Sequence, residues 1–186
     1  MLHGKSFMQL ETDIQLLNEL LAPWEQKIGS AFPGYKNHVT RMLNFCFYLA
    51  QPSEEEKTKL IIAAAFHDIG IWSHGTVDYL DPSVDVAMDY LKENDLVGWS
   101  EEVALMISEH HKLRAVDEPR YPLVEIFRTA DLVDFSLGMI KKGVPKDVIA
   151  SVRFSLPNEG FHKNLMRLSW EQFKKEPLNP VPMIKL

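Results

Sequence analysis

The sequence predicts an all-α chain of eight or nine helices, folded as a single domain over residues 1–186. Three observations carry this expectation. Apolar residues return at steps of three and four in one segment after another. The strict alternation of a half-buried strand is nearly absent. Between segments stand the residues that start and stop helices, Ser, Asp or Pro in front and Gly behind. A chain of 186 residues is long enough for one substantial core and short for two.

The elements follow in order. In "SFMQLETDIQLLNELLA", Phe7, Leu10, Ile14, Leu17 and Leu21 form one helical stripe. Pro23 suits the first turn of a short helix, "PWEQKIG", which Gly29 closes. A helix over about residues 36–50 carries Val39, Met42, Leu43, Phe47 and Leu49. Ser53 with Glu56 reads as a capping box opening the next helix, which runs through "AAAFHDIG" to a stop at Gly70. Asp81-Pro82 reads as N-cap and first turn of a helix through about Leu91. Ser100 caps a helix to about His111. Pro122 opens a long one through Ile140, stopped by Gly143. Pro145 starts another, and "NEGFHKNLMRLSWEQFKK" forms the last. The stretches 71–80 and 112–121 are the longest loops, where function concentrates.

Composition excludes several classes. The chain is 46% hydrophobic and 25% charged, as expected of a globular domain. A net charge of −6, with basic residues scattered, argues against generic nucleic-acid binding. Cys46 is the single cysteine, so no intrachain disulfide framework or Cys-rich zinc motif is available. No apolar run approaches the roughly 20 residues that span a bilayer. The N-terminus lacks the basic-then-apolar pattern of a signal peptide. The expectation is a cytoplasmic protein without a membrane partner.

The chemistry lies in the histidines and two aspartates. His67-Asp68 end an alanine-rich apolar run, His38 precedes the most apolar part of its helix, and His110-His111 end another helix. Asp131 sits on the apolar face of "EIFRTADLVDF". One histidine on an apolar face is usually a satisfied core residue, and a polar pair in a last turn suits the helix dipole. A set of such residues spread over four helices is harder to explain so, because a lone buried aspartate is costly unless paired or metal-bound. Neutral imidazoles with carboxylates suit Fe, Mn, Zn, Co or Ni rather than Ca or a thiolate-bound ion.

The ordered set His38 … His67-Asp68 … Asp131, with "HDIG" and "RTAD", resembles the HD-domain superfamily of metal-dependent phosphohydrolases over about residues 35–137. The resemblance implies a helical fold and one divalent transition metal held by His38, His67, Asp68 and Asp131, with two ions possible. Members with a second metal add histidines between the doublet and the last aspartate, a place that His110 and His111 fill here. Where such members often start the next helix with His-Pro, this chain has Asp81-Pro82. Asp81 is therefore either a further ligand or only the cap of its helix. The lysine some members carry after the doublet is absent, and Ile71 and Trp72 follow Gly70.

Hydrolysis of a phosphomonoester or phosphodiester, of a nucleotide or small phosphorylated metabolite, is the function this implies. Asp68 and His110 are candidates for proton transfer, and His74, Lys112, Arg114 and Arg128 for substrate contact. Two alternatives stay open: a di-iron oxygenase or lyase/hydratase on the same ligand set, and a non-catalytic helical module. His3 and His162 read as surface residues. The proline-spaced tail "EPLNPVPMIKL" fits either its own core or a neighbouring copy, so a homo-oligomer is a further possibility.

Overall fold

The computed structural model describes residues 9–179 and residue 182. Their regular structure is all helical: α1 Gln15–Leu21, α2 Glu25–Ile28, α3 Phe32–Ala50, α4 Glu54–Phe66, α5 Gly70–Ser73, α6 Leu80–Glu93, α7 Ser100–Glu109, α8 Leu123–Phe135, α9 Lys146–Ser155 and α10 Phe161–Lys175. Three 3-10 turns join α1 to α2, α2 to α3, and α6 to α7. Seven helices have ten residues or more, with shorter α1, α2 and α5 between them, close to the eight or nine expected. Among the described residues no helix is long and apolar enough to cross a membrane.

The central contact is α3 along α8, with α4 on α3 and α7 bridging α4, α6 and α8. One buried cluster fills the space between, built from Leu17 and Leu21 of α1, Val39 and Leu43 of α3, and Phe127 and Val133 of α8 among others. The alanines at 63–65 are fully buried. Their small side chains let α4 approach its neighbours closely, which packs the end of α4 into the middle of the molecule.

The capping box forms: Ser53 N–H donates to Glu56 Oε2 at 2.8 Å, and Glu56 N–H returns to Ser53 Oγ at 3.4 Å. Pro23 and Gly29 (φ +63°) bound the short second helix as expected. Other boundaries differ. α1 starts only at Gln15, because the Asn44 side chain takes both backbone groups of Glu11, accepting at 3.0 Å and donating at 2.8 Å. That pairing replaces the bonds a helix there would need. Phe7 and His3 lie outside the described residues, as does the chain from residue 180 on apart from Pro182.

α8 ends at Phe135, five residues short of Ile140. Leu137 (φ +56°) and Gly138 (φ +79°) turn left-handed, and Gly138 N–H bonds back to the Val133 carbonyl at 2.8 Å, a closed helix terminus. Gly70 acts differently from the expected stop. α4 already ends at Phe66, and Gly70 opens α5 without positive φ. A Cβ on Gly70 would lie 2.4 Å from the Tyr79 carbonyl oxygen, so the position serves close packing of α5 on α6.

Candidate metal centre

Four helices or their ends deliver the histidines and aspartates to one point. α3 supplies His38, the turn after α4 supplies His67 and Asp68, the end of α7 supplies His110 and His111, and α8 supplies Asp131. His38, His67, Asp68, His110 and Asp131 are all buried. Fine positioning comes from the other ring nitrogen of each histidine. His38 Nδ1 is 2.7 Å from Asp134 Oδ2, His67 Nδ1 is 2.8 Å from the Ala64 carbonyl oxygen, and His110 Nδ1 is 2.6 Å from that of Ile107. A carboxylate or carbonyl only accepts, so each Nδ1 must carry the proton. Each Nε2 is then left with a lone pair, and all three point inward.

The inward atoms crowd together. His38 Nε2 lies 3.2 Å from His67 Nε2 and 3.5 Å from Asp131 Oδ1. His67 Nε2 lies 3.3 Å from Asp68 Oδ2, and His110 Nε2 lies 3.5 Å from Asp68 Oδ1. Two neutral imidazoles with lone pairs facing at 3.2 Å repel unless a cation or proton stands between them. Asp68 Oδ1 and His110 Nε2 are buried with no hydrogen-bond partner. Donor atoms bound to one ion at about 2.1 Å, at angles of 90–110°, stand about 3.0–3.4 Å apart. The observed spacings of 3.2, 3.3, 3.5 and 3.5 Å lie within that range or 0.1 Å above it.

Two overlapping groups each bring their ligand atoms within 4.8 Å of one another: His38, His67 and Asp68, and Asp68, His110 and His111. Asp68 belongs to both. Its two oxygens face different histidines, the arrangement a bridging carboxylate needs. The donors are imidazole and carboxylate without thiolate, a set for divalent Fe, Mn, Co, Ni or Zn.

Electrostatics favour neutral rings at His38 and His111 but not at His67, where burial acts to lower the pKa and the neighbouring Asp68 carboxylate prevails and raises it. Burial pushes the Asp131 carboxyl up to about 7, helped by the negative charge of Asp68 and Asp134 and opposed by His110 and Arg128. Burial also lowers the His38 and His111 pKa values, keeping both rings neutral and able to ligate. Asp131 then makes the metal-free fold pH-sensitive. A carboxyl raised from 3.8 to about 7 holds a proton that the unfolded chain has already released, so stability falls as pH rises through that window. We expect the chelator-treated protein to lose up to about 4 kcal/mol more between those pH values than Asp131→Asn does. Thermal unfolding of both across that range measures it.

Asp134 and Arg41 are functional neighbours that sequence reasoning missed. Arg41 donates from Nε to Asp134 Oδ1 at 2.6 Å and from Nη2 to Oδ2 at 2.8 Å, while Nη1 reaches the carbonyls of Leu156 and Pro157. Burial works against the Asp134 carboxylate, but the bonds from His38 and Arg41 prevail and hold its pKa at about 2. It therefore stays charged and fixes the His38 ring, a partner that orients the histidine from behind. The available signal was spacing: His38 and Arg41, like Asp131 and Asp134, sit three residues apart on one helix face. The His38 ring also stacks on Phe161 at 4.1 Å, which covers one of its faces.

The remaining candidates divide. Above the cluster lies a cavity of about 260 Å³, lined in part by Asp68, His110, His111, Lys112, Arg128 and Asp131. His111 reaches it with Nε2 2.6 Å from the Tyr79 hydroxyl, a buried partner the sequence did not flag. Lys112 lines the cavity but pairs with Glu109. Arg128 is buried and already engaged: Nε and Nη2 hold Glu125 at 2.7 and 2.6 Å, and Nη1 holds the Lys112 carbonyl at 2.9 Å. It braces the 112–121 loop. Asp81, His74 and Arg114 are exposed and do not line the cavity. Asp81 does not cap α6, which begins at Leu80 because the Tyr79 carbonyl accepts the Ser83 N–H at 2.9 Å. His74 instead meets Ser73 Oγ at 2.8 Å. His162, expected at the surface, is half-buried, its Nε2 2.9 Å from the Phe135 carbonyl oxygen.

No curated protein and no solved structure matches the chain. A family model described as the HD domain matches residues 35–136, a span that begins just before His38 and ends just after Asp134. That stretch is more than half of the sequence and holds every side chain of the buried cluster, so the chain belongs to the HD domain family.

Proposed function

We propose that the protein is a metal-dependent phosphohydrolase that cleaves a phosphomonoester or phosphodiester with activated water. The observation supporting this is the buried donor cluster, two groups sharing Asp68, at the floor of a cavity of about 260 Å³. A divalent metal held by His38, His67, Asp68 and Asp131, with His110 and His111 available for a second, would lower the pKa of a bound water and polarise a phosphoryl oxygen.

The chain's own residues supply the rest. Asp68 Oδ1 and His110 Nε2, both without partners inside the protein, are the atoms free to accept a proton from the attacking water. His111, neutral through burial, hydrogen-bonded to Tyr79 and with its ring 3.9 Å from that of His110, would relay to the leaving oxygen the proton that Asp68 or His110 takes from the water. Tyr79 keeps its own proton, since burial raises its pKa well above the usual phenol value. Phe161 and Phe127 close the sides of the histidines and keep bulk water from them.

Purified protein stripped with a chelator should lose hydrolysis of p-nitrophenyl phosphate. Mn²⁺, Co²⁺, Ni²⁺ or Fe²⁺ should restore it equally with and without oxygen. Turnover that needs molecular oxygen would replace the hydrolase reading with the oxygenase one.

A further inference from the structure

The wall of the cavity says what kind of molecule the cluster faces. Beyond the donor groups the lining is mostly apolar: Ile71 on α5, Leu132 on α8, and Phe161, Leu165 and Leu168 on α10. Leu113, Phe135 and Ile140 also line it and are 68%, 51% and 43% exposed, so the apolar surface continues out to the rim. Two cations reach the lining, and neither is free. Arg128 is spent on Glu125 and a backbone carbonyl, and Lys112 pairs with Glu109. The polar wall groups outside the donor cluster and these cations are the hydroxyls of Ser169 and Tyr79, and that of Tyr79 bonds to His111.

Two substrate classes fit this wall badly. A di- or triphosphate needs a Lys, Arg or metal clamp on each added phosphoryl group. Beyond the cluster itself the lining has none to spare. A nucleobase would bring several donors and acceptors against carbon, each left unpaired at a loss of roughly five- to a hundredfold in binding. One phosphoryl group at the donor cluster, with carbon behind it, leaves neither problem.

We propose that the cavity selects a phosphoryl monoester whose alcohol part is a compact apolar group, such as a short alkyl chain or one aromatic ring, against nucleotides and polyphosphates. The assignment of a phosphoryl head group rests on the phosphohydrolase reading. The preference for an apolar body rests on the wall alone. At about 260 Å³ the cavity lies just below the usual range for ligand pockets of about 300–1,000 Å³, which limits the body to a small one.

The test is calorimetric titration of the Mn²⁺-loaded protein with methyl-, propyl-, butyl- and phenylphosphonate, pyrophosphate and AMP. Phosphonates carry a C–P bond that ester hydrolysis does not break, so the measurement reads binding alone. Affinity should rise about fourfold per methylene from methyl to butyl, the factor for burying one CH₂. Phenylphosphonate should match or exceed butyl, and pyrophosphate and AMP should bind more weakly than either. Leu168→Asn and Leu165→Asn should each reduce the butyl-to-methyl ratio several-fold, two variants so that a folding defect in one does not decide the matter. A flat series, or tighter binding of AMP or pyrophosphate, overturns the proposal. Hydrolysis of p-nitrophenyl phosphate by the same preparation judges the other reading separately. The phosphonate gradient without any hydrolysis would sink the hydrolase and leave the cavity's preference standing.

Discussion

Asp68→Asn should yield a folded protein that binds metal poorly and turns over no substrate. The carboxylate is buried, shared between both donor groups, and has Oδ1 without a partner, so the amide removes a negative charge where two sets of imidazoles converge. An amide also presents one oxygen instead of two and cannot bridge. Metal affinity should fall by more than about 100-fold, above the range for groups that only orient a ligand. The fold should survive, since the alanines at 63–65 and Phe66 keep their packing. Elemental analysis after dialysis, with circular dichroism as the check on folding, separates this from a merely structural role. In that case Asn, which preserves shape, would keep full metal content.

Asp134→Ala has the larger effect on stability. It leaves the Arg41 guanidinium buried without its two-bond partner and frees the His38 ring. Breaking a buried pair by removing one member costs about 3–5 kcal/mol. For a chain of this size that is a fall in Tm of about 6–20 °C. The loss should appear in the chelator-treated protein as well, because the charge is stranded with or without metal. Metal affinity should drop a further 10- to 100-fold as His38 loses its orientation. Asp134→Leu combined with Arg41→Met removes both charges and should recover much of the Tm but little of the metal binding. A double variant that recovers both would show that Asp134 does nothing for His38.

Much of this was legible before any coordinates. The periodic apolar residues of α6 and α7 place those helices because only one face of each is buried. α3 and α4 instead carry runs buried all round, at 38–47 and 60–66, and α4 is marked by its capping box and its alanines. His and Asp at apolar positions were legible as candidates because they contradict their surroundings, and it was the resemblance to the HD-domain superfamily that implied His38, His67, Asp68 and Asp131 as a ligand set. The failures share a cause, which is that a distant group outcompeted a local signal. Asn44 capturing the Glu11 backbone shortened α1, and the Tyr79 carbonyl set the start of α6 ahead of Asp81. Arg128 looked like a phosphate contact, yet Glu125 three residues away and the Lys112 carbonyl engage it. Asp134 was hidden for the opposite reason. Apart from its three-residue spacing from Asp131, nothing in its own segment marks it, and only His38 and Arg41 on another helix show what it holds.

The partner of His38 lies 96 residues further along the chain, and Arg41 reaches the carbonyls of Leu156 and Pro157 at separations of 115 and 116. Contacts of such long range form late in folding, because the loops they close must be ordered first. During synthesis His38, His67 and Asp68 leave the ribosome well before Asp131 and Asp134, and at about 5–20 residues per second the delay is several seconds. In that interval the nascent chain displays imidazoles with no fixed orientation and no buried carboxylate beside them. Selective capture of a metal must therefore wait for α8 to dock on α3, and an ion picked up earlier would be held loosely and exchangeably. Refolding from denaturant should show the same order, with helix signal returning before tight metal binding does.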